Sequence, residues 1–383
     1  MKGVAGMMTN RERTLAVLNY QPYDRLPLVN FGYWVETLQK WATEGHVSDD
    51  EAAGWADGNE FDRSISAKLG FDFNWLNSIY PWYDRMGIGF LPRFEERVIE
   101  EQPDGTRLIQ NVDGVIILEK AGGTGIPAEV DHLLKDRASW EEHYLPRLQY
   151  SSTRVDMQAL AEVQKAANDE LPLGVYCGSM IGRIREWCGV VGLSYIIADD
   201  EGLLDEMIDT YANLCYGVVE DVLATGVRFD FGHFWEDMAF KSGPLINPVI
   251  FERKLIPYYA RIVKLLNDHD INIVSLDCDG KIDRLVPIWL KAGVNTMCPI
   301  EVGTWRADIG PWRKLYGPEI RGVGGMEKKI FSEDRAAVDA EVERLRPLVE
   351  LGGYIPCVDH RIAPDGEWDN VRYYCDRMRH FFG

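Results

Sequence analysis

The sequence predicts an α/β protein, a closed (β/α)8 TIM barrel carrying an inserted antiparallel β-meander, on three observations. From residue 150 onward, short apolar runs and helical patterns alternate in strict order. Six such runs, added to two earlier ones, make eight strands. Polar residues able to do chemistry gather directly after those runs, where a barrel keeps its active site. Alternation of strand and helix implies parallel pairing. An open doubly wound sheet is the alternative, and no G-x-G-x-x-G follows the first run to support it.

Taken in order, Thr9 and Glu12 have capping-box spacing and open a helix to about Leu18, which Pro22 stops. Residues 25–30 form a first strand and 71–77 a second. Residues 93–119 change rhythm: charged and apolar residues alternate, punctuated by Asp104-Gly105 and Asp113-Gly114, the dipeptides of tight hairpin turns. They predict a meander inserted within one barrel domain spanning 1–383. The following GGTGIP lacks the Gly-Lys-Ser/Thr ending of a phosphate loop. Further strands fall at 173–177, 228–234, 271–276, 294–299, 320–324 and 353–358. Helices separate them at 200–224, 248–268, 281–291, 304–315 and 333–350, and a last one covers 368–381. Gly226, Gly293 and Gly352 sit where helix C-caps belong.

Composition narrows the function. A net charge of −20 argues against nucleic acid or an anionic membrane as partner. Seven cysteines, odd in number and without a CxxC pair, read as reduced thiols in a cytoplasmic protein, not as a disulfide frame or a thiolate zinc site. The opening MKGVAGMMTNRERTL lacks the apolar stretch of a signal peptide, and no run approaches a membrane span.

The strand ends supply the candidates. They are Asn30, Tyr33 and Trp34; Asn77, Tyr80 and, just beyond, Trp82; Cys177, Ser179 and Arg183; then His233, Glu236, Asp237 and Lys241. The last four strands end in Asp277, Cys278 and Asp279; Cys298 and Glu301; Met326, Glu327 and Lys328; and Cys357, Asp359, His360 and Arg361. Asp277 closes an apolar run, so a buried carboxylate there needs a partner. Asp279, before Gly280, reads equally as a ligand or as the cap of the next helix. Cys278 points away from Asp277, because strand neighbours face opposite sides. Cys177, Cys298 and Cys357 read as core residues, and His233 as either a site residue or a hydrogen-bonded part of the barrel wall. Tyr33, Trp34, Tyr80 and Trp82 line a pocket or pack the rim. Arg183, Lys241 and Arg361 are cations able to bind a substrate carboxylate.

Four stretches carry a family resemblance: TNRERTLAVLNYQPYDRLPL, EDMAFKSGPLINPVIFERKLIPYYARIV (236–263), DCDGKIDRLVPIWLKAGVNTMCPIE (277–301) and GGYIPCVDHRIAPD (352–365). Together they resemble the uroporphyrinogen decarboxylase superfamily, whose fold is the eight-stranded barrel and which includes methyltransferases serving corrinoid proteins. The decarboxylase grips its substrate with an arginine-rich segment after the first strand; here that segment, NFGYWVETLQKW (30–41), holds no arginine. The decarboxylase's aspartate after the second strand is also missing from FNWLNSIYPW (73–82). His360 alone matches its set.

The methyltransferase branch holds zinc with a His-x-Cys on the fifth strand and a Cys on the eighth. Those positions are Asp277, Asp279 and His360 here, with Glu301 placed to complete them. The resemblance thus implies a divalent metal, zinc or a harder ion, on an oxygen-rich site. It also implies transfer of a methyl group from a small ether or amine to a corrinoid on a separate carrier protein, and it allows a homodimer. Asp277, Glu301, His360 and Asp237 are the expected acid–base set. Tyr33, Trp34, Asn77, Trp82, Arg183, His233, Lys241 and Arg361 are the expected substrate contacts. A decarboxylase acting on a small acidic substrate, with uroporphyrinogen itself disfavoured, and a non-catalytic binding protein are the alternatives.

Overall fold

The first helix, Asn10–Leu18, opens as its spacing predicts: Thr9 Oγ1 accepts from the Glu12 amide, and the Glu12 carboxylate accepts from the Thr9 amide. The computed structural model describes residues 7–80, 86–120, 127–167 and 170–383. Arg25, at the end of the loop after this helix, pairs with Asp72 and fixes the entry to the first strand, Val29–Asn30.

Parallel strands make up the main sheet. Around it, Val29–Asn30 pairs with Tyr354–Val358, then follow Arg321–Met326, Thr296–Ile300, Val274–Asp277, Phe231–Trp235 and Gly174–Tyr176. The two ends of this order are Phe73–Asn74, beside Val29–Asn30, and Ile79–Tyr80, beside Gly174–Tyr176. These two segments are consecutive in the chain, joined by the 3-10 turn Trp75–Ser78, so the second barrel strand is broken in two. The eight-stranded barrel expected from the sequence is the observed architecture.

Register decides which side chains face inward. Tyr176 lies opposite His233, His233 opposite Ser275, and Trp235 opposite Asp277. His233 Nδ1 meets Ser275 Oγ at 2.7 Å in the closed interior. Phe234, on the other face, packs its ring on Tyr259 of the helix Pro248–Asn267. Asp277, two residues beyond Ser275, therefore shares the inward face at the C-terminal end of the barrel. Cys278 is turned outward, and its sulfur accepts from the Met238 amide at 3.2 Å. All seven cysteines are buried and free.

Several elements differ from the expected ones. The antiparallel sheet has four strands, not the extent 93–119: Arg97–Glu101, Arg107–Gln110, Val115–Glu119 and Ala128–His132 pair in sequence. The helix expected at 281–291 starts only at Val286, whose N-cap is Leu285, so Asp279 is not its cap. The helix expected at 304–315 is two pieces, Val302–Trp305 and Ile309–Tyr316, broken where Arg306 turns left-handed at φ 58°. A long helix, Gly182–Asp199, has no counterpart among the expected elements. It is apolar around its circumference and breaks at Gly189 (φ 68°, ψ 165°). A Cβ at Gly189 would stand 2.6 Å from the ring of His132 on the last meander strand. Only glycine allows both this backbone conformation and that approach.

Candidate functional site

At the C-terminal mouth of the barrel, Asp237, Asp277 and Asp279 bring one carboxylate oxygen each within 4.8 Å of one another. Asp277 ends its strand and is 6% exposed. Asp237 follows Phe231–Trp235 with φ 32°, a left-handed conformation uncommon outside glycine, and its Oδ1 accepts from the Asp279 amide at 3.0 Å. That bond ties the two strand ends together.

Neighbouring elements complete the rim. Glu301 closes the strand Thr296–Ile300; its carboxylate accepts from the Gly280 amide and from Thr304 Oγ1. His360 Nε2 stands 3.8 Å from Asp279 Oδ2. Its ring stacks on Trp34, with centroids 5.7 Å apart and planes 20° from parallel. Asp359 accepts from the amides of Val302 and Gly303 at 3.1 and 2.8 Å, and from the Lys328 amide. It thereby locks the loops after three successive strands.

Burial and like charge act in one direction on the carboxyls. Asp277 is raised well above the ordinary carboxylate value, first by burial and then by Asp279, Asp237 and Glu301. Asp279 is raised likewise by burial, Asp237 and Glu301, with Lys328 opposing. Burial also raises Asp237 and Glu301. His360 is pushed down to about 4 by burial, then by the charges of Lys328 and Arg361. Its imidazole is neutral at neutral pH, so one nitrogen is free to accept a proton or bind a cation. Packed carboxyls of this kind hold a shared proton or a cation, since fully ionised they repel at short range.

The other expected residues fall elsewhere. Tyr33 is 1% exposed, edge-on to Trp41 and Trp55, with its hydroxyl against Ser66 Oγ; it packs the rim and does not line an open pocket. Asn77 is held away from the acid cluster by its hydrogen bond to buried Asp62 at 2.7 Å. His233 is wholly enclosed, and burial pushes it down to about 3, which makes it a neutral interior residue. Arg183 pairs with Glu186 and lies 4.4 Å over the Trp235 ring. Arg361 pairs with Asp57 at 2.6 Å, and Lys241 sits exposed at the tip of the small hairpin after Asp237. Trp82 lies outside the described residues.

Two further residues take part: Lys328, a strand-end candidate given no role from the sequence, and Asp57, which the sequence did not single out. Lys328 is half-buried, and its charge acts on Asp359, Glu301 and Asp279. Asp57 anchors Arg361 and accepts from Asn74. Lys328 was legible as the end of the seventh strand, whereas nothing in the loop GWADGNE marks Asp57. Glu236 also proves structural. Fully buried, it accepts from Ser179 Oγ, from the amides of Met180, Ile181 and Gly182, and from Tyr259 Oη, closing the N-terminus of the helix Gly182–Asp199.

Clustered acids, an imidazole and the Trp34 ring thus meet where the barrel strands end. A scan against protein families matches none. The chain is 27% identical over 236 residues to a uroporphyrinogen decarboxylase of Magnetococcus marinus, covering 56% of this chain and 60% of that protein. It is 24% identical over 135 residues to a uroporphyrinogen decarboxylase of Trichlorobacter lovleyi, covering 35% and 38%. It thus spans less than two thirds of the length of these curated relatives. In three dimensions it matches a methyltransferase from Methanosarcina mazei with a TM-score of 0.60 and 13% identity, over 98% of this chain and 99% of that one. That likeness is one of fold. The chain thus resembles uroporphyrinogen decarboxylases in sequence and a methyltransferase in fold, and these relatives are enzymes. No helix of the described residues is long and apolar enough to cross a membrane.

Proposed function

We propose that this chain transfers a methyl group from a small ether or amine to a reduced corrinoid presented by a separate carrier protein. The observation that carries the reading is the Asp237–Asp277–Asp279 cluster at the barrel mouth, with carboxyls raised by burial and mutual repulsion. Breaking a C–O or C–N bond to methyl leaves its electron pair on the heteroatom, which must be neutralised in the transition state. A carboxyl that burial and neighbouring acids make hold its proton more tightly than usual supplies that proton. Asp277 is the donor, Asp279 and Asp237 hold its proton by their repulsion, and neutral His360 relays the replacement from solvent. Trp34, stacked on His360, forms the wall against which the donor lies.

The same oxygens suit a divalent cation of the harder kind. Three carboxylates with a His beside them form an oxygen-rich donor set, and the raised carboxyls show charge that a cation would relieve. Asp237, Asp277, Asp279 and His360 would hold it, and it would supply Lewis-acid polarisation of the heteroatom.

The decarboxylase reading has less support from the site. Two of the three cations expected to grip a carboxylate, Arg183 and Arg361, are engaged by Glu186 and Asp57, and the third is exposed on a hairpin. To test the proposal, the protein is mixed with chemically reduced cobalamin and a panel of aryl methyl ethers and methylamines. Growth of the methylcobalamin absorbance supports it. Carbon dioxide release from carboxylated compounds, with no corrinoid methylation, overturns it.

A further inference from the structure

No hydrogen bond holds the His360 ring among the described residues, and its approach to Asp279 Oδ2, at 3.8 Å, is too long to be one. A working histidine is ordinarily oriented by a bond on its second nitrogen. Here the task falls to the flanking backbone. The Asp359 amide donates to the Met326 carbonyl at 2.8 Å. The Ile362 amide donates to the Gly32 carbonyl at 3.1 Å, and the Ile362 carbonyl accepts from the Trp34 amide and from Thr37 Oγ1. Between these two anchors, the amides of His360 and Arg361 have no acceptor among the described residues. The Arg361 side chain is the tether that remains.

That tether is a fork. Arg361 Nη2 meets Asp57 Oδ2 at 2.6 Å and Nη1 meets Oδ1 at 3.3 Å, while Nη1 also reaches the Tyr33 carbonyl at 3.5 Å. Asp57, in the loop between the helices Asp49–Gly54 and Glu60–Leu69, is held in turn by Asn74 Nδ2 at 2.7 Å. The pair lies against Gly32, where φ is 81° and a Cβ would stand 2.6 Å from Nη1 and 3.0 Å from Asp57 Oδ1. The fork thus grips the chain beside both rings of the stack: Arg361 adjoins His360, and Tyr33 adjoins Trp34. We propose that Asp57 is a positioning residue that, through Arg361, sets the His360 ring against Trp34 at the barrel mouth. This rests on the methyl-transfer reading, in which His360 relays the replacement proton. The two side chains are 23% and 24% exposed, so the pair adds little to global stability and its loss acts locally.

The test reads the stack and the rate separately. Protein labelled with 5-fluorotryptophan gives a Trp34 fluorine resonance, assigned by its loss in Trp34→Phe. His360→Ala gives the position of that resonance without the stack. Asp57→Asn and Arg361→Gln should each move it at least halfway towards the His360→Ala position, with melting points near wild type. In cobalamin methylation, Asp57→Asn should lower kcat about 10-fold or more with KM little changed. It should cost nothing further in a His360→Ala background, because a residue acting through another is not additive with it. A Trp34 resonance left at its wild-type position in both variants, one that does not respond to His360→Ala, or an equal loss of kcat from Asp57→Asn with and without His360 would each overturn the proposal. If Asp57→Asn does not fold, Arg361→Gln decides, and failure of both to fold would make the pair structural and overturn it too. Absence of methylation with the Trp34 shift intact would count against the reaction alone.

Discussion

His360 Nε2 faces Asp279 Oδ2 across 3.8 Å while the imidazole ring lies stacked on Trp34. One residue from the end of the eighth strand is thus joined to one from the end of the fifth and braced by the first. Because burial and two nearby cations push His360 down to about 4, the contact joins a neutral base to an acid.

That shift has a sign that can be measured. The unfolded chain protonates this histidine near pH 6.5 and the folded one only near 4, so the unfolded state binds more protons between the two. Stability contributed by His360 therefore falls as pH drops from about 6.5 towards 4. Urea midpoints at pH 7 and pH 5 should show wild type losing ~1–2 kcal/mol more than His360→Gln on acidification. Equal losses would remove the buried neutral imidazole from the account.

Asp277 carries the opposite sign. Its folded value is raised, so the folded state holds a proton that the unfolded chain has already released, and stability contributed by this group falls as pH rises through the folded value. Asp277→Asn should consequently melt a few degrees above wild type at pH 8, with the gap closing as pH falls below 5. A melting point lower than wild type at pH 8, in the absence of added metal, would contradict the crowding of acids seen here.

Glu236 should matter for folding and not for chemistry. Removing it leaves three buried amides, a serine and a tyrosine hydroxyl without their acceptor. Glu236→Ala should cost ~3–5 kcal/mol in a denaturation curve. Glu236→Gln, which keeps an acceptor, should cost less.

Gly189 joins the meander to the barrel through a space only glycine leaves. Gly189→Ala must accommodate both φ 68° and a 2.6 Å approach to His132. Faster proteolysis within the meander strands than in wild type is the expected outcome. Unchanged cleavage would mean that the His132 contact does not hold the sheet down.

Much of this arrangement was legible because buried parallel strands read as apolar runs, and barrel chemistry lies one or two residues beyond each run. Asp277, Asp279, Glu301 and His360 follow from that rule alone. What escaped has physical causes. The helix Gly182–Asp199 lacks an amphipathic period, since Val190, Val191 and Tyr195 are apolar yet exposed and a glycine breaks it. The second strand reads as one run over 71–77, but a 3-10 turn divides it. Tyr33 and Asn77 follow strand ends as the rule requires, and yet neighbours from the loop and helix before the second strand cover them, which no local pattern records. Asp57 does its work through Arg361, more than three hundred residues away in sequence.

Whether the Asp277 carboxyl protonates the leaving group is read from the rate of cobalamin methylation by Asp277→Asn against wild type, with folding of both verified. General acid catalysis contributes roughly 10²–10⁴-fold. Asp277→Asn should lose at least ~100-fold in kcat with KM little changed. A variant that methylates cobalamin within threefold of wild type would contradict it.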